Sequence, residues 1–472
     1  GGRTAKEQRI DACLLDVPTI YIADGDKRFK VLQGSELTIT PIVDSFLETS
    51  YSWQINGEDI SNELTCTLPT IELGEYQVRF ATHNEDGDDE VTFKVEVCSP
   101  DQVDFNWTFL QTEYNMSAGR TIRIKPVDVN NALDAVYTWT VDNEQVQSGE
   151  NDTYLFTSEQ QGEHTVKVEM KNSYILATQT LKVNVCPPAG TYQRKISATS
   201  SASMNKVYEY LPAPGQFINE NHNTITMAEA CTYAEERINQ TAYVSLGGFG
   251  GYIIVGFDHS IVNDGDYNIA ITGNAFDGSS EPGIVWVMQD ENGDGLPNDT
   301  WYELRGSEYG KAETWQDYAV TYHKPTGIQL PTPWTDNHGQ SGSIDYLGAF
   351  HRQDYYYPAW VKEKQYTLRG TRLKERNYDQ SGNGTYWVND SYEWGYADNF
   401  SAIDRLTDDD NYNAGPSDNH FKISHAVTFD GKDANLKYVD FIKVQVGVNS
   451  KSGWLGEIST EVFGIKDFNM LK

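Results

Sequence analysis

The feature that most narrows what this chain can become is an internal repeat. Tyr51-Ser52-Trp53 returns 86 residues later as Tyr137-Thr138-Trp139. Phe93-Lys94-Val95-Glu96-Val97-Cys98 returns after 88 residues as Leu181-Lys182-Val183-Asn184-Val185-Cys186. Gly74-Glu75-Tyr76-Gln77-Val78 is echoed by Gly162-Glu163-His164-Thr165-Val166, and the spacing of Gly34, Leu37, Ile39 and Pro41 by Gly119, Ile122, Ile124 and Pro126. A near-constant offset over four landmarks marks two tandem copies of one domain. Within a copy, Val166, Val168 and Met170 alternate with Thr165, Lys167 and Glu169. That period of two belongs to half-buried strands. With a Trp placed to fill the centre of each copy, the expected unit is an immunoglobulin-like two-sheet sandwich.

The residues carrying the repeat resemble the PKD-like domain family. Tyr51, Trp53, Gly74, Tyr76, Val78 and Asn84 match its pattern, and Tyr137, Trp139, Gly162, His164, Val166 and Asn172 match it again. The resemblance implies extracellular spacer domains. It places the boundaries at 18–98 and 99–186, after an N-terminal linker at 1–17. His164, where the family usually has Tyr, is read as a sheet residue. Ser99-Pro100 and Pro187-Pro188 follow the two closing cysteines and end their strands.

Residues 187–472 show no copy of the repeat. One helix is expected there: Thr226 can cap it with Glu229 as capping box, and Met227, Ala230, Cys231, Ala234 and Ile238 form its apolar stripe. The remainder reads as strands, at 252–257, 267–272, 283–289, 300–305, 317–323, 365–372, 422–428, 437–446 and 460–466. Long loops are expected at 327–362 and 374–420. The fold class expected for the whole chain is all-β: two tandem immunoglobulin-like (PKD-like) sandwiches, then a larger jelly-roll β-sandwich with one short helix.

Most of residues 205–470 resembles a domain common in Bacteroidetes cell-surface proteins, similar in architecture to galactose-binding-like jelly rolls. The residues concerned are Pro212–Phe217, Gly247–Phe257, Gly273-Asn274-Ala275-Phe276 and Ser280–Val287. The resemblance implies a lipid-anchored position outside the outer membrane. It also implies nutrient capture beside a TonB-dependent transporter, with corrinoids among the possible cargoes.

Charge and composition restrict partners. The formal net charge of −33 argues against nucleic acid. No run of about 18 apolar residues occurs. The chain opens on Gly1-Gly2, read as an expression remnant, with a leader or lipid anchor expected upstream. Five cysteines, Cys13, Cys66, Cys98, Cys186 and Cys231, allow at most two bridges, and the sequence does not assign them.

The sharpest local motif is Asp290-Glu291-Asn292-Gly293-Asp294-Gly295-Leu296-Pro297-Asn298-Asp299. Hard cations take several converging oxygens. Asp290, Asn292, Asp294, the Leu296 carbonyl and Asp299 are therefore candidate ligands of a structural calcium, in a hairpin rather than an EF-hand because Trp301 stands at the twelfth position. The competing reading is a plain Asn-Gly/Asp-Gly turn. A second cluster, Asp404, Asp408–Asp410 and Asp418 with Asn399, Asn411 and Asn413, is read as a solvated loop. Aromatic residues crowd the long loops: Trp334, Tyr355–Tyr357, Trp360, Trp387, Trp394, Tyr396 and Trp454. Rings can stack on a sugar or a flat macrocycle, and Trp360, Trp394 and Tyr396 are the ligand-binding candidates.

No G-x-S-x-G, H-E-x-x-H or phosphate-binding loop occurs, and the nine His form no i, i+4 pair. The expected function is thus non-catalytic: a head that captures a glycan or corrinoid, held off the membrane by PKD-like spacers. The alternatives are a carbohydrate-active hydrolase or lyase, and a purely structural adhesin.

Overall fold

The computed structural model describes residues 15–22, 28–45, 47–103, 105–130, 132, 134–220, 222–406 and 416–472. The chain divides into two compact units, 1–104 and 105–472.

The first unit is one sandwich. Its main sheet runs Arg28–Leu32, Gly87–Cys98, Gly74–Asn84, Ser50–Ile55, Glu58–Ser61, and Leu37–Ile39 pairs with Cys66–Leu68 across the core. Inward positions two apart along each strand supply Val78, Phe80, Phe93, Val95 and Val97, packed on Trp53, which is fully buried. The second sandwich has the same strand order: Glu113–Ser117, Leu176–Cys186, Gly162–Lys171, Val136–Val141, Glu144–Gly149, with Thr121–Ile124 on Tyr154–Thr157. Trp139 fills its centre, again fully buried. His164 is a buried sheet residue whose Nδ1 lies 2.7 Å from Asp142 Oδ2 and whose Nε2 lies 2.9 Å from the Gln160 carbonyl.

The rest of the second unit is a larger β-sandwich region. A six-stranded sheet runs Lys206–Leu211, Tyr252–Val262, Tyr438–Val446, Gly283–Met288, Trp301–Leu304, Ala426–Val427. A three-stranded sheet (Ser417–Phe421, Ile269–Gly273, Gly464–Asp467) and a four-stranded sheet (Ser341–Ile344, Thr332–Asp336, Trp315–His323, Gln365–Arg372) contribute Ile271, Ile465, Val320 and Tyr322 to the same core as Val255, Val285 and Val444. The single α-helix among the described residues, Met227–Asn239, carries the expected capping box, and Ala230, Ala234 and Ile238 are its buried stripe. No helix among the described residues is long and apolar enough to cross a membrane.

The expected loops are partly structured, since 327–362 contains two strands of the four-stranded sheet and 374–420 contains three short strands. The strand expected over 422–428 is instead a 3-10 turn at Ile423–His425 followed by two strand residues. The glycine run is explained by close approach. A Cβ on Gly251 would collide with the Leu246 carbonyl, and one on Gly247 with the Ala213 carbonyl. Only glycine lets these backbones pass. Cys66, Cys186 and Cys231 are free thiols, and Cys13 lies outside the described residues.

The repeat boundary at Cys186 is not a boundary between compact units, because the second sandwich is riveted to the C-terminal sheets. Ser117 donates to Glu291 Oε1 at 3.0 Å. Arg120 forms an ion pair with Glu291 at 3.1 Å and donates to Gln289 Oε1 at 3.0 Å. Lys125 meets Asp317 at 2.7 Å and Arg369 meets Asp128 at 2.5 Å. Glu291 is almost fully buried. Its pKa is raised by that burial against the opposing pull of Arg120.

Candidate functional site

Among the described residues a cleft of about 240 Å³ lies between the turn at 394–395, the strand Ser417–Phe421 and the 3-10 turn. Trp394 forms one wall, its ring 5.1 Å from that of His425. Tyr267 and His420 form another, their rings 6.0 Å apart. Arg305 and Lys422 bring positive charge to the rim, Arg305 anchored on Asp433 at 2.6 Å and Lys422 lying 4.7 Å from the centre of the Tyr267 ring.

Two imidazole rings line this space. Nδ1 of His420 donates to the Asp404 carbonyl at 2.7 Å. Burial lowers the pKa of His420, and burial with Arg305 and Lys422 nearby lowers that of His425. Both rings are therefore neutral at neutral pH, so each can present a lone pair. Aromatic walls, neutral imidazoles and two cationic rim groups can stack a ring and hydrogen-bond its substituents.

Only one of the three ligand candidates named from sequence reaches this cleft. Trp394 lines it. Trp360 is 6% exposed in the main core, donating its indole N–H to the Tyr210 carbonyl at 3.2 Å. Tyr396 is 2% exposed, and its hydroxyl accepts from the Glu308 N–H at 3.0 Å. These two rings are packing residues, because each polar tip is consumed by a backbone group. Tyr356 and Tyr357 are likewise buried, whereas Trp454 is exposed beside Phe350. Reasoning from sequence missed Tyr267, Arg305, His420, Lys422 and His425. The only hint was His420 and His425 five residues apart, a spacing without motif status.

The loop 290–299 is a hydrogen-bonded turn between strands. Asp290 accepts from the N–H groups of Gly293 at 2.7 Å and Gly295 at 3.0 Å. Asp294 accepts from the Leu296 N–H and from the side-chain amides of Asn292 and Asn298, each at 2.8 Å. Asp299 accepts from the Glu291 N–H at 3.0 Å, while its buried Oδ1 has no partner. Burial pushes its carboxyl up to about 8. No three carboxylates of this loop meet within 4.8 Å of one another, and the loop's own N–H donors occupy several of the oxygens that Asp290 and Asp294 offer. Glu291 Oε2 and Asp299 Oδ1, both buried without a hydrogen-bond partner, are acceptors here that a cation would satisfy.

The acidic cluster is not uniformly solvated. Asp404 is buried, accepting from the Gly395 N–H at 2.6 Å and the Asn419 amide at 2.9 Å. Asp418 pairs with Lys466 at 3.2 Å. Asp408–Asp410, Asn411 and Asn413 lie outside the described residues.

The profile of the PKD-like domain family matches residues 17–84 and 109–172. The chain is also similar to the fibronectin(III)-like modules of Clostridium thermocellum CbhA, at 15% identity over 38% of this chain and 100% of theirs, with a TM-score of 0.20. It is similar to the Ig1-2 module of the Drosophila receptor protein tyrosine phosphatase DLAR, at 11% identity over 36% and 98%, with a TM-score of 0.18. The third likeness is to the titin domains z1z2 in complex with telethonin, at 20% identity over 36% and 98%, with a TM-score of 0.17. No curated protein matches. The chain therefore carries tandem PKD-like domains, a class that points to a cell-surface or adhesion-type extracellular protein.

Proposed function

We propose that this chain is a non-catalytic, cell-surface binding protein whose C-terminal β-sandwich takes a sugar ring of an extracellular glycan in the cleft at Trp394. The observation that carries the reading is that Trp394 and the neutral His425, in contact with each other, line one cleft of about 240 Å³. Drug-sized sites run from about 300 Å³ upward, so this cleft suits a single ring. Trp394 would stack on its apolar face, and His420 and His425 would accept from its hydroxyls.

A second reading is a corrinoid, supported by the same neutral imidazole, the form that ligates metals. The cleft is too small to enclose the macrocycle, so only an axial face could be offered to His425. Under either reading the PKD-like domains act as spacers. The chain would be lipid-anchored on the outer face of an outer membrane, beside a TonB-dependent transporter, and its head would be of the galactose-binding-like jelly-roll kind. A calcium ion on Asp290, Asn292, Asp294, the Leu296 carbonyl and Asp299 would be structural.

Calorimetry against a glycan panel and aquocobalamin tests this. Glycan binding lost in Trp394→Ala supports the first reading. A shifted cobalamin absorption spectrum, lost in His425→Ala, supports the second. Heat from neither, or release of reducing sugar from any polysaccharide, sinks both.

A further inference from the structure

Away from the cleft, three carboxyl groups from distant stretches of chain meet. Glu281 precedes the strand Gly283–Met288, Asp398 lies in the turn before residue 400, and Glu461 opens the short strand Glu461–Val462. One ligating oxygen from each lies within 4.8 Å of the others. Asp398 is 1% and Glu461 4% exposed, and Glu281 is half-buried.

The backbone holds these groups in place. Asp398 Oδ1 accepts from the N–H groups of Asn274 at 2.8 Å and Ala275 at 2.9 Å, and Oδ2 accepts from the Glu461 N–H at 2.9 Å. Glu281 Oε1 accepts from the Ser459 N–H at 3.3 Å, and the Glu281 N–H donates to the Asp398 carbonyl at 2.9 Å. Asp398 sits at φ 52°, a left-handed conformation that non-glycine residues seldom adopt. Strain of this kind persists where the surroundings over-determine it.

What the cluster lacks is positive charge. Among the described residues no ion pair with Lys, Arg or His reaches Glu281, Asp398 or Glu461, and buried Glu461 Oε1 has no hydrogen-bond partner. Buried acceptors are almost always satisfied, and buried like charges are strongly unfavourable without a counter-charge. An all-oxygen donor set selects hard cations over zinc or copper. Oxygens already accepting one N–H keep a second lone pair for a metal. We propose that Glu281, Asp398 and Glu461 form a calcium-binding site that ties three stretches of the C-terminal sandwich together.

The test uses the full chain stripped with EDTA, then titrated with CaCl₂ in calorimetry and thermal melting. The wild type should bind and melt several degrees higher with saturating calcium. Glu461→Gln should weaken the calcium bound at these three carboxyls at least about 100-fold and remove its share of the shift, while Asp290→Asn in the 290–299 loop should leave that ion in place. The proposal is overturned if the stripped wild type shows no calcium-dependent shift, if Glu461→Gln binds as tightly as wild type, or if only Asp290→Asn loses the ion. Should Glu461→Gln fail to fold, wild-type crystals soaked in MnCl₂ decide. An anomalous peak among the three carboxylates supports the site, and its absence at saturating manganese rejects it.

Discussion

The first and second sandwiches share strand order, a buried central Trp and a closing Cys, yet they differ in what their edges do. Leu32 and Ser117 hold the same register position, opposite Cys98 and Cys186. Three residues on stand Ser35 and Arg120. In the first sandwich Ser35 donates to its own turn, to the Leu32 carbonyl at 2.7 Å. In the second, Ser117 and Arg120 reach Glu291. One fold thus serves in one copy as a compact unit by itself and in the other as part of a larger one. A few edge residues make the difference without altering the core.

The sharpest way to break this comparison is through the cores. Trp53→Ala and Trp139→Ala should each cost about 4 kcal/mol. Chemical unfolding should assign the first loss to the small unit and the second to the large one. The Phe variants should split: Trp53 donates to the Glu63 carbonyl at 2.9 Å, whereas Trp139 Nε1 has no partner. Trp53→Phe should therefore cost about 1 kcal/mol more than Trp139→Phe.

Next comes the rivet. Arg120→Ala leaves Glu291 buried without its counter-charge and should destabilise the large unit by about 3 kcal/mol. It should also expose residues 187–195 to limited proteolysis. Ser35→Ala should move unfolding by less than about 0.5 kcal/mol. Equal effects at the two positions would erase the contrast between the two sandwiches.

Rising pH should weaken the large unit as well. Glu303 is buried in the large unit and its carboxyl is raised from 4.5 to about 7 by burial, against Thr371 and Lys443, which favour the charge. The folded chain thus binds more proton than the unfolded chain between those values. The associated stability is full below pH 4.5 and is lost as pH rises through 7. Urea unfolding of the large unit should weaken between about pH 5 and pH 8 by about 2 kcal/mol at this site, and Glu303→Gln should flatten that slope. The smallest effect is expected at Lys125→Ala. Its partner Asp317 is well exposed, so the loss should stay under about 0.5 kcal/mol by the same unfolding measurement.

The parts of the fold that were legible were those with a local signal. Trp53 and Trp139 announce their cores through repetition, and Thr226 with Glu229 announces the helix start through a spacing that only capping exploits. The cleft was less legible. Trp394 was found because Trp is rare and conspicuous, but Trp360 and Tyr396 look the same in sequence and are packing residues. Whether a ring faces solvent or core depends on which backbone carbonyl or N–H meets its polar tip. That group comes from far along the chain, as Tyr210 does for Trp360 across 150 residues. Glu281 belongs to no metal-binding motif, and nothing near it in sequence points to Asp398 or Glu461.

What the amino-acid order determined alone was the set of short-range facts: two copies of one sandwich, the alternation that makes each strand one-sided, the capped helix and the Gly-rich turns. These depend on residues within one or two turns of each other, so the pattern and its physical cause sit in the same window. Only the tertiary structure decided which copy became part of a larger unit, which aromatic ring lines the cleft, and that three carboxyl groups share one buried point. Those outcomes are set by contacts between residues far apart in the chain, and no local window holds both partners.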